Sequence, residues 1–316
     1  MIIGILLAVI TYLLWGATFI TTYFIPDYPG IYVGLGRAVL IGFFSLAVFA
    51  TFPGKFKKLC PADWKAALVL SIFGQLLQPI CFFFSVIYAG TAISSICFGI
   101  CPVLIALISN SQAKRKGEAC VRIKALILPI LFICFGFILC NLTELLYMDN
   151  NTKSVEDTLI GLAFGLSSSS FLTYYSIRNA QWLKVNRQVG STEWFSAQCI
   201  SLLPLALALY GITWWFDPSM PTLLGPQPAV FSLVMILLGL FGSFVPGITF
   251  NMASARIPTS LLGQLITLET FFGIVFGQLV QKTWPSALLS TGLGFFLVGV
   301  VVSLYLFSKQ APTKQS

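Results

Sequence analysis

The sequence predicts an all-α integral membrane protein, with ten transmembrane helices in two inverted five-helix repeats and both termini cytoplasmic. Of its 316 residues, 57% are hydrophobic and only 9% are charged, and the mean hydropathy is +0.92. Soluble domains carry about 25% charged residues. Apolar stretches of about 20 residues, the length of a membrane-spanning helix, recur along the whole chain. They lack the alternation of barrel strands, so helices are expected.

The predicted spans follow one another at short intervals. They are 2–22, 31–51, 65–87, 91–110, 123–141, 158–178, 193–213, 229–252, 257–281 and 285–307. The first span has neither the basic start nor the small-residue cleavage site of a signal peptide, so we expect it to be retained.

The distribution of basic residues predicts the orientation of the helices. All of the 18 lysines and arginines except Arg37, Lys153 and Lys282 fall on one side of this topology. Because such residues accumulate on the cytoplasmic side, both termini are predicted to be cytoplasmic. The net charge of +8 is therefore interpreted as a topology signal, and no nucleic-acid partner is predicted.

The chain divides at its longest polar interval. We expect a first five-helix repeat over 1–141, an extracytoplasmic connecting loop over 142–157, a second repeat over 158–308 and a cytoplasmic tail over 309–316. Because each half has an odd number of helices, homologous halves would be inverted, as is common in secondary transporters. The best internal match pairs 91–102 with 259–270.

Residue types exclude several kinds of chemistry. The eight cysteines form no Cys-x-x-Cys pair and the chain has no histidine, so no metal site and no cofactor are predicted. A Ser/His/Asp set is impossible and no phosphate-binding loop occurs, so an enzyme is not expected. A channel would need a continuous polar lining, and only short polar stripes are present. Any pumping must draw on gradients or exchange.

Glu269 is the most informative residue, because it lies in the middle of an apolar span. A carboxylate at that depth costs about 2.5–3.5 kcal/mol on insertion scales, so such groups face a bundle interior or a pathway. Apolar surroundings favour the protonated form, which makes Glu269 a candidate proton carrier. The alternative is a structural partner such as Arg37. Gln264 and Thr267 of the same helix are further substrate-binding candidates.

Four other helices carry candidates for substrate binding. Gln75 and Gln78 lie on the polar stripe of the third helix, and Ser167, Ser170 and Tyr174 share a face of the sixth. Either set could instead contact only neighbouring helices, and the serines could bond to their own backbone. Arg37 could hold a carboxylate or extend outward to water. Trp15 could form a cation–π wall or be a core residue. The remaining candidates, from the fourth helix, are Ser94 and Phe98.

Short motifs in this order resemble the drug/metabolite transporter superfamily, and within it the ten-helix EamA-type carriers. They are the Trp-Gly motif within 14–19, the arginine at 37, the proline motif at 101–103, the Leu-Glu motif at 268–270 and the glycine-rich last helix at 292–299. Two departures stand out: Thr270 replaces the family's proline, which predicts a softer kink after Glu269, and Lys282-Thr283 replaces a Gly-Glu pair.

The resemblance implies two inverted repeats around a central cavity, lined by Trp15, Arg37 and Glu269, with the fifth and tenth helices peripheral and available for a homodimer. It also implies alternating access, with amino acids, other metabolites or toxic compounds as substrates. We therefore expect a multi-pass secondary transporter of the cytoplasmic (inner) membrane that moves a small polar or zwitterionic metabolite, an amino acid or derivative, by proton coupling or exchange. The alternative is a multidrug efflux carrier.

Overall fold

The computed structural model describes residues 1–115, 123–147, 154–218 and 220–310, and within these ranges the regular structure is entirely helical. The expected connecting loop and cytoplasmic tail are described only in part, since residues 148–153 and 311–316 lie outside the described residues.

Ten long helices follow the ten predicted spans. In order they are α1 (Ile2–Ala17), α2 (Gly30–Thr51), α3 (Pro61–Ala89), α4 (Thr91–Arg115), α5 (Ile123–Tyr147), α6 (Val155–Val185), α7 (Ser191–Phe216), α8 (Pro228–Ser254), α9 (Thr259–Gln281) and α10 (Ala287–Gln310). Short helical turns extend α1 to Phe24, and a further turn, Pro53–Phe56, precedes α3.

Nine helices in the described part of the chain are long and apolar enough to cross a membrane. The all-helical membrane fold is therefore confirmed. The remaining helix, α6, has 31 residues and would extend about 46 Å at 1.5 Å per residue. It exceeds the thickness of the hydrocarbon core, but its serine run and charged ends make it too polar to be counted with the other nine.

The packing of the helices follows a pattern with a period of five helices, and three of the main pairs are five positions apart in the chain. α5 packs on α10, α2 on α7 and α4 on α9, while α1 packs on α8 and α9 as α6 packs on α3 and α4. When the number of each helix is raised or lowered by five, each of these contacts becomes either itself or another contact of the set. This is the pattern that two related halves would produce.

Wide π-helical turns interrupt two helices at corresponding places. They cover Ile72–Leu77 in α3 and Leu240–Phe244 in α8. Each is followed closely by a proline, Pro79 or Pro246, which has no amide hydrogen and cannot bond to the carbonyl four residues before it. The prolines therefore account for the widened turns, and both turns lie beside the cavity described next.

Candidate functional site

A cavity of about 90 Å³ lies at the centre of the bundle, between the helices of the two halves. It takes residues from α1, α2, α3, α6, α7, α8 and α9. Its lining consists of Trp15, Thr18, Arg37, Gly74, Gln75, Gln78, Leu172, Tyr175, Phe195, Ser243, Gly247, Ile266 and Glu269.

Arg37 and Glu269 are the charged residues of this lining. They interact electrostatically, but their charged atoms are not within the 4.0 Å of an ion pair. The ion pair found among the described residues is Lys55–Glu193, at 3.6 Å. The guanidinium and the carboxylate thus share one small cavity without closing on each other. Arg37 points inward, which settles the question of whether it reaches outward to water.

The break in α9 positions Glu269. The helix is interrupted at Ile266, between Thr259–Leu265 and Thr267–Gln281, where the Thr267 hydroxyl donates to the Gln264 carbonyl oxygen at 2.8 Å. Glu269 therefore occupies the first turn of the second segment, and its carboxylate lies near the positive end of that segment's dipole. The interruption lies before Glu269, and the helix then continues without a break through Thr270 to Gln281.

Gly16 of α1 brings this helix against the segment that carries Glu269. A Cβ atom at position 16 would lie 2.6 Å from the Phe272 Cβ and 2.9 Å from the Glu269 carbonyl oxygen. Backbone atoms cannot move aside as a flexible side chain can. A side chain at this position would therefore displace α9, and Glu269 with it.

We expect Gly16→Ala to lower stability by about 1–3 kcal/mol, the usual cost of overpacking a core, and to reduce transport. The matched control is Gly277→Ala in α9, where a Cβ would meet nothing within 4 Å. The midpoint of thermal unfolding in detergent, compared across the three proteins, measures the effect. Equal midpoints for both variants would contradict the close contact.

Aromatic side chains form the wall on the α1 and α8 side. The Trp15 ring lies 5.3 Å from that of Phe250 and 5.8 Å from that of Tyr12, and Phe250 stacks on Tyr175 at 6.1 Å. The Tyr12 hydroxyl donates to the Leu262 carbonyl at 3.0 Å. These rings lie between the cavity and the ends of α1, α6 and α8 that are predicted to be cytoplasmic.

A buried polar network lies next to the cavity, toward the side predicted to be cytoplasmic. Asn179 is its centre: its amide nitrogen donates to the Asn251 oxygen at 2.7 Å, and its oxygen accepts from Trp194 at 2.8 Å and Gln198 at 3.0 Å. The Tyr175 hydroxyl, at the cavity wall, donates to the Gln198 oxygen at 3.2 Å. The network joins α6, α7 and α8, so the cytoplasmic ends of these helices are held together.

Five of the twelve predicted site residues line the cavity: Trp15, Arg37, Gln75, Gln78 and Glu269. The Gln78 amide also donates to the Ser168 hydroxyl of α6 at 3.2 Å.

The structure places the other seven outside the cavity lining. The Ser94 hydroxyl bonds to Ser85 and Phe98 packs on Phe82. Ser167 and Ser170 donate to carbonyls of their own helix, the alternative foreseen from the sequence. Tyr174 faces a groove on the cytoplasmic side. The side-chain oxygen of Gln264 accepts from the Ser303 hydroxyl of α10, and the Thr267 hydroxyl donates to the backbone carbonyl of Gln264.

Sequence reasoning missed eight residues of the lining, among them Tyr175, Leu172 and Ser243. Four consecutive serines in α6 put a hydroxyl on every face, so the serine pattern does not separate the face of Tyr174, which the sequence predicts, from the face of Tyr175. The buried Asn179 lies one turn beyond Tyr175, and it was the signal that could have selected the correct face. The Ser243 hydroxyl is buried without a hydrogen-bond partner among the described residues, and no pattern in the sequence singled it out.

Comparison with known proteins agrees with this fold and its setting. Residues 2–118 match the model of the EamA-like transporter family. The chain is 28% identical over 309 residues to "Inner membrane protein YtfF" of Escherichia coli strain K12, covering 96% of this chain and 95% of that protein. A solved crystal structure superposes with a TM-score of 0.75 over 98% of each chain at 17% identity, which shows the fold alone.

The nine apolar helices of the described residues fit the predicted multi-pass membrane protein, and the relative from Escherichia coli is named as an inner membrane protein. The family match over 2–118 and the similarity to a relative over nearly the whole chain agree with the resemblance to EamA-type carriers drawn from the motifs.

Proposed function

We propose that this transporter moves a small polar or zwitterionic metabolite, an amino acid or derivative, across the cytoplasmic membrane. The observation that carries the proposal is the pair Arg37 and Glu269 in one cavity without a direct ion pair. A guanidinium holds a carboxylate through two parallel hydrogen bonds, and a carboxylate attracts an ammonium group. An amino acid supplies both groups on adjacent atoms.

The size of the cavity favours this substrate class over the alternative. Sites for drug-sized ligands enclose about 300–1,000 Å³, whereas this cavity has about 90 Å³. Gln75, Gln78 and Ser243 add neutral polar groups, and Trp15 adds an aromatic face. Multidrug efflux, the second candidate, is favoured only by the aromatic walls and would require the cavity to enlarge.

The proposed mechanism is alternating access by two inverted repeats. The helix pairing, the matched π-helical turns of α3 and α8 and the break in α9 support it, because transporter sites form where helices are discontinuous near the midplane. Glu269 would couple transport to protons by releasing its proton when a cationic ammonium binds. Exchange of one metabolite for another is the other mode of coupling that this site allows.

A homodimer through α5 and α10 remains part of the proposal. The two helices pack closely on each other, with Gly136 and Gly292 at the contact. Their outer faces carry apolar side chains such as Leu131 and Val301, which are 59% and 62% exposed. A bilayer would cover such faces as readily as a second subunit, so they are compatible with either state.

Proteoliposomes under an imposed pH gradient test the proposed function. We expect wild type to accumulate a labelled amino acid from a mixed pool, and Glu269→Gln to lose the gradient-driven part while keeping exchange. The matched control is Glu156→Gln, which removes an exposed carboxylate at the start of α6. Absence of movement of every amino acid by wild type would discard the substrate class. Equal accumulation by wild type and Glu269→Gln would remove the coupling role.

A further inference from the structure

A second and larger concavity lies on the cytoplasmic side of the bundle, away from the central cavity. It encloses about 550 Å³ between the first turns of α3 and the last turns of α6. Lys65 and Arg178 line it together with Tyr174, Trp182 and the apolar Val69 and Leu70. We propose that this groove binds the head group of an anionic phospholipid from the inner leaflet.

The two basic residues are available to a ligand. Both are exposed, and neither has a carboxylate within 4.0 Å in the described part of the chain. The nearest acidic residue along α3 is Asp63, whose carboxylate already accepts from the Cys60 amide at 2.9 Å and the Trp182 indole at 3.1 Å. Two cations thus face the groove without an anionic partner.

The walls of the groove are rigid and have the composition of a membrane interface. Trp182 stacks on Trp194 with ring centres 3.4 Å apart, and Tyr174 packs on Phe73 at 5.0 Å. Tryptophan and tyrosine are enriched where the bilayer meets water. Because α6 is longer than the hydrocarbon core requires, its last turns reach the depth of the lipid head groups.

The shape of the groove suits a lipid better than a free ion. Val69 and Leu70 continue the lining along α3 toward the membrane interior, so an acyl chain could follow the apolar wall while the phosphate stays at Lys65 and Arg178. Basic pockets between transmembrane helices on the cytoplasmic side bind lipid head groups in this way.

A second groove, between the helices that correspond to α3 and α6 in the shift of five, shows that the charges are not a by-product of the fold. A concavity of about 430 Å³ lies between the last turns of α1 and the first half of α8, the helices paired with α6 and α3 by the shift of five. Its lining, which includes Leu14, Phe24 and Leu233, has no charged residue. Of these two grooves, the one between α3 and α6 carries the cations, and it lies on the predicted cytoplasmic side, where the leaflet has a negative surface potential.

Native mass spectrometry of the purified transporter tests the proposal. We expect phosphatidylglycerol to remain bound at concentrations where phosphatidylcholine with the same chains does not. The double variant Lys65→Gln/Arg178→Gln should weaken phosphatidylglycerol binding by at least tenfold. The double variant Lys65→Arg/Arg178→Lys, which conserves the charge, should retain it and shows that the groove still folds.

The matched control is Lys57→Gln/Arg187→Gln, which removes the same charge from cytoplasmic residues outside the groove lining. Equal weakening in this control would overturn the proposal, because it would show general attraction to the basic face. Displacement of the lipid by millimolar inorganic phosphate, with no dependence on the acyl chain, would also overturn it, in favour of a free-phosphate site. Equal retention of both lipids by wild type would do so as well.

Discussion

Arg37→Gln is expected to weaken binding of an amino acid by about 100-fold. The variant removes the cation that would hold the substrate carboxylate, and each hydrogen bond to a charged group contributes about 1.5–3 kcal/mol. Loss of roughly 3 kcal/mol corresponds to a factor of about 100 in the dissociation constant. Titration calorimetry of the detergent-purified protein with the transported amino acid measures it.

A substrate without a carboxylate separates the two charged residues. A primary amine that matches the amino-acid side chain should bind Arg37→Gln as well as wild type, but should bind Glu269→Gln more weakly. Arg187→Gln, at an exposed cytoplasmic position, controls for the loss of one positive charge. If Arg37→Gln weakens the amine and the amino acid equally, Arg37 has a structural role and the zwitterion hypothesis fails.

Asn179→Ala is expected to have the largest effect on stability, with a loss of about 3 kcal/mol. It leaves the Trp194 indole, the Gln198 amide and the Asn251 oxygen without their partner. An orphaned buried polar group costs about 1–3 kcal/mol, whereas single hydrogen bonds between membrane helices average about 0.6 kcal/mol. Because the variant leaves three buried groups without a partner at once, we expect a loss near the upper end of the range of about 1–3 kcal/mol. Unfolding in mixed micelles of rising denaturing-detergent fraction measures it.

The same variant should also loosen the cytoplasmic closure. Cys199, buried beside Gln198 in α7, should become reactive toward a membrane-impermeant thiol reagent applied from the cytoplasmic side. Asn186→Ala is the matched control, because Asn186 makes one partly buried bond, to the Trp182 carbonyl in the same helix. Similar stability losses in the two variants, or an unreactive Cys199, would show that the network does not hold the helices together.

Much of the fold follows from apolar length alone. Each predicted span coincides with a helix, because backbone groups in a hydrocarbon layer must bond within their own segment. α6 is the informative exception among the ten: its serines and charged ends exclude it from the apolar set, yet it lies against α3 and α4. Several polar residues of α6, such as Ser169, Thr173 and Asn179, are buried against other helices and do not face lipid, so hydropathy underestimates this helix.

The sequence predicted the site residues whose side chains would cost free energy if they faced lipid. It did not predict those of types that are common in membrane helices. Glu269, Gln75 and Gln78 are polar groups that lipid would penalise, so their inward orientation followed from their type. The orientation of Arg37 was left open by the sequence, and the structure places it in the cavity lining. Ser243 and Leu172 are common residues in such helices, and their role depends on the rotation of α8 and α6. The π-helical turn at Leu240–Phe244 sets that rotation for α8. An assignment of helix faces that assumes about 3.6 residues per turn does not allow for this turn.

The pairing of one cation with one anion in the central cavity has an electrical consequence. When Glu269 is ionised, Arg37 and Glu269 give the site no net charge and a zwitterion adds none, so exchange of amino acids would not depend on the membrane voltage. A proton carried on Glu269 in one direction only would make each cycle move one elementary charge. At about 2.3 kcal/mol per 100 mV, the resting potential would then drive the transporter alongside the pH gradient.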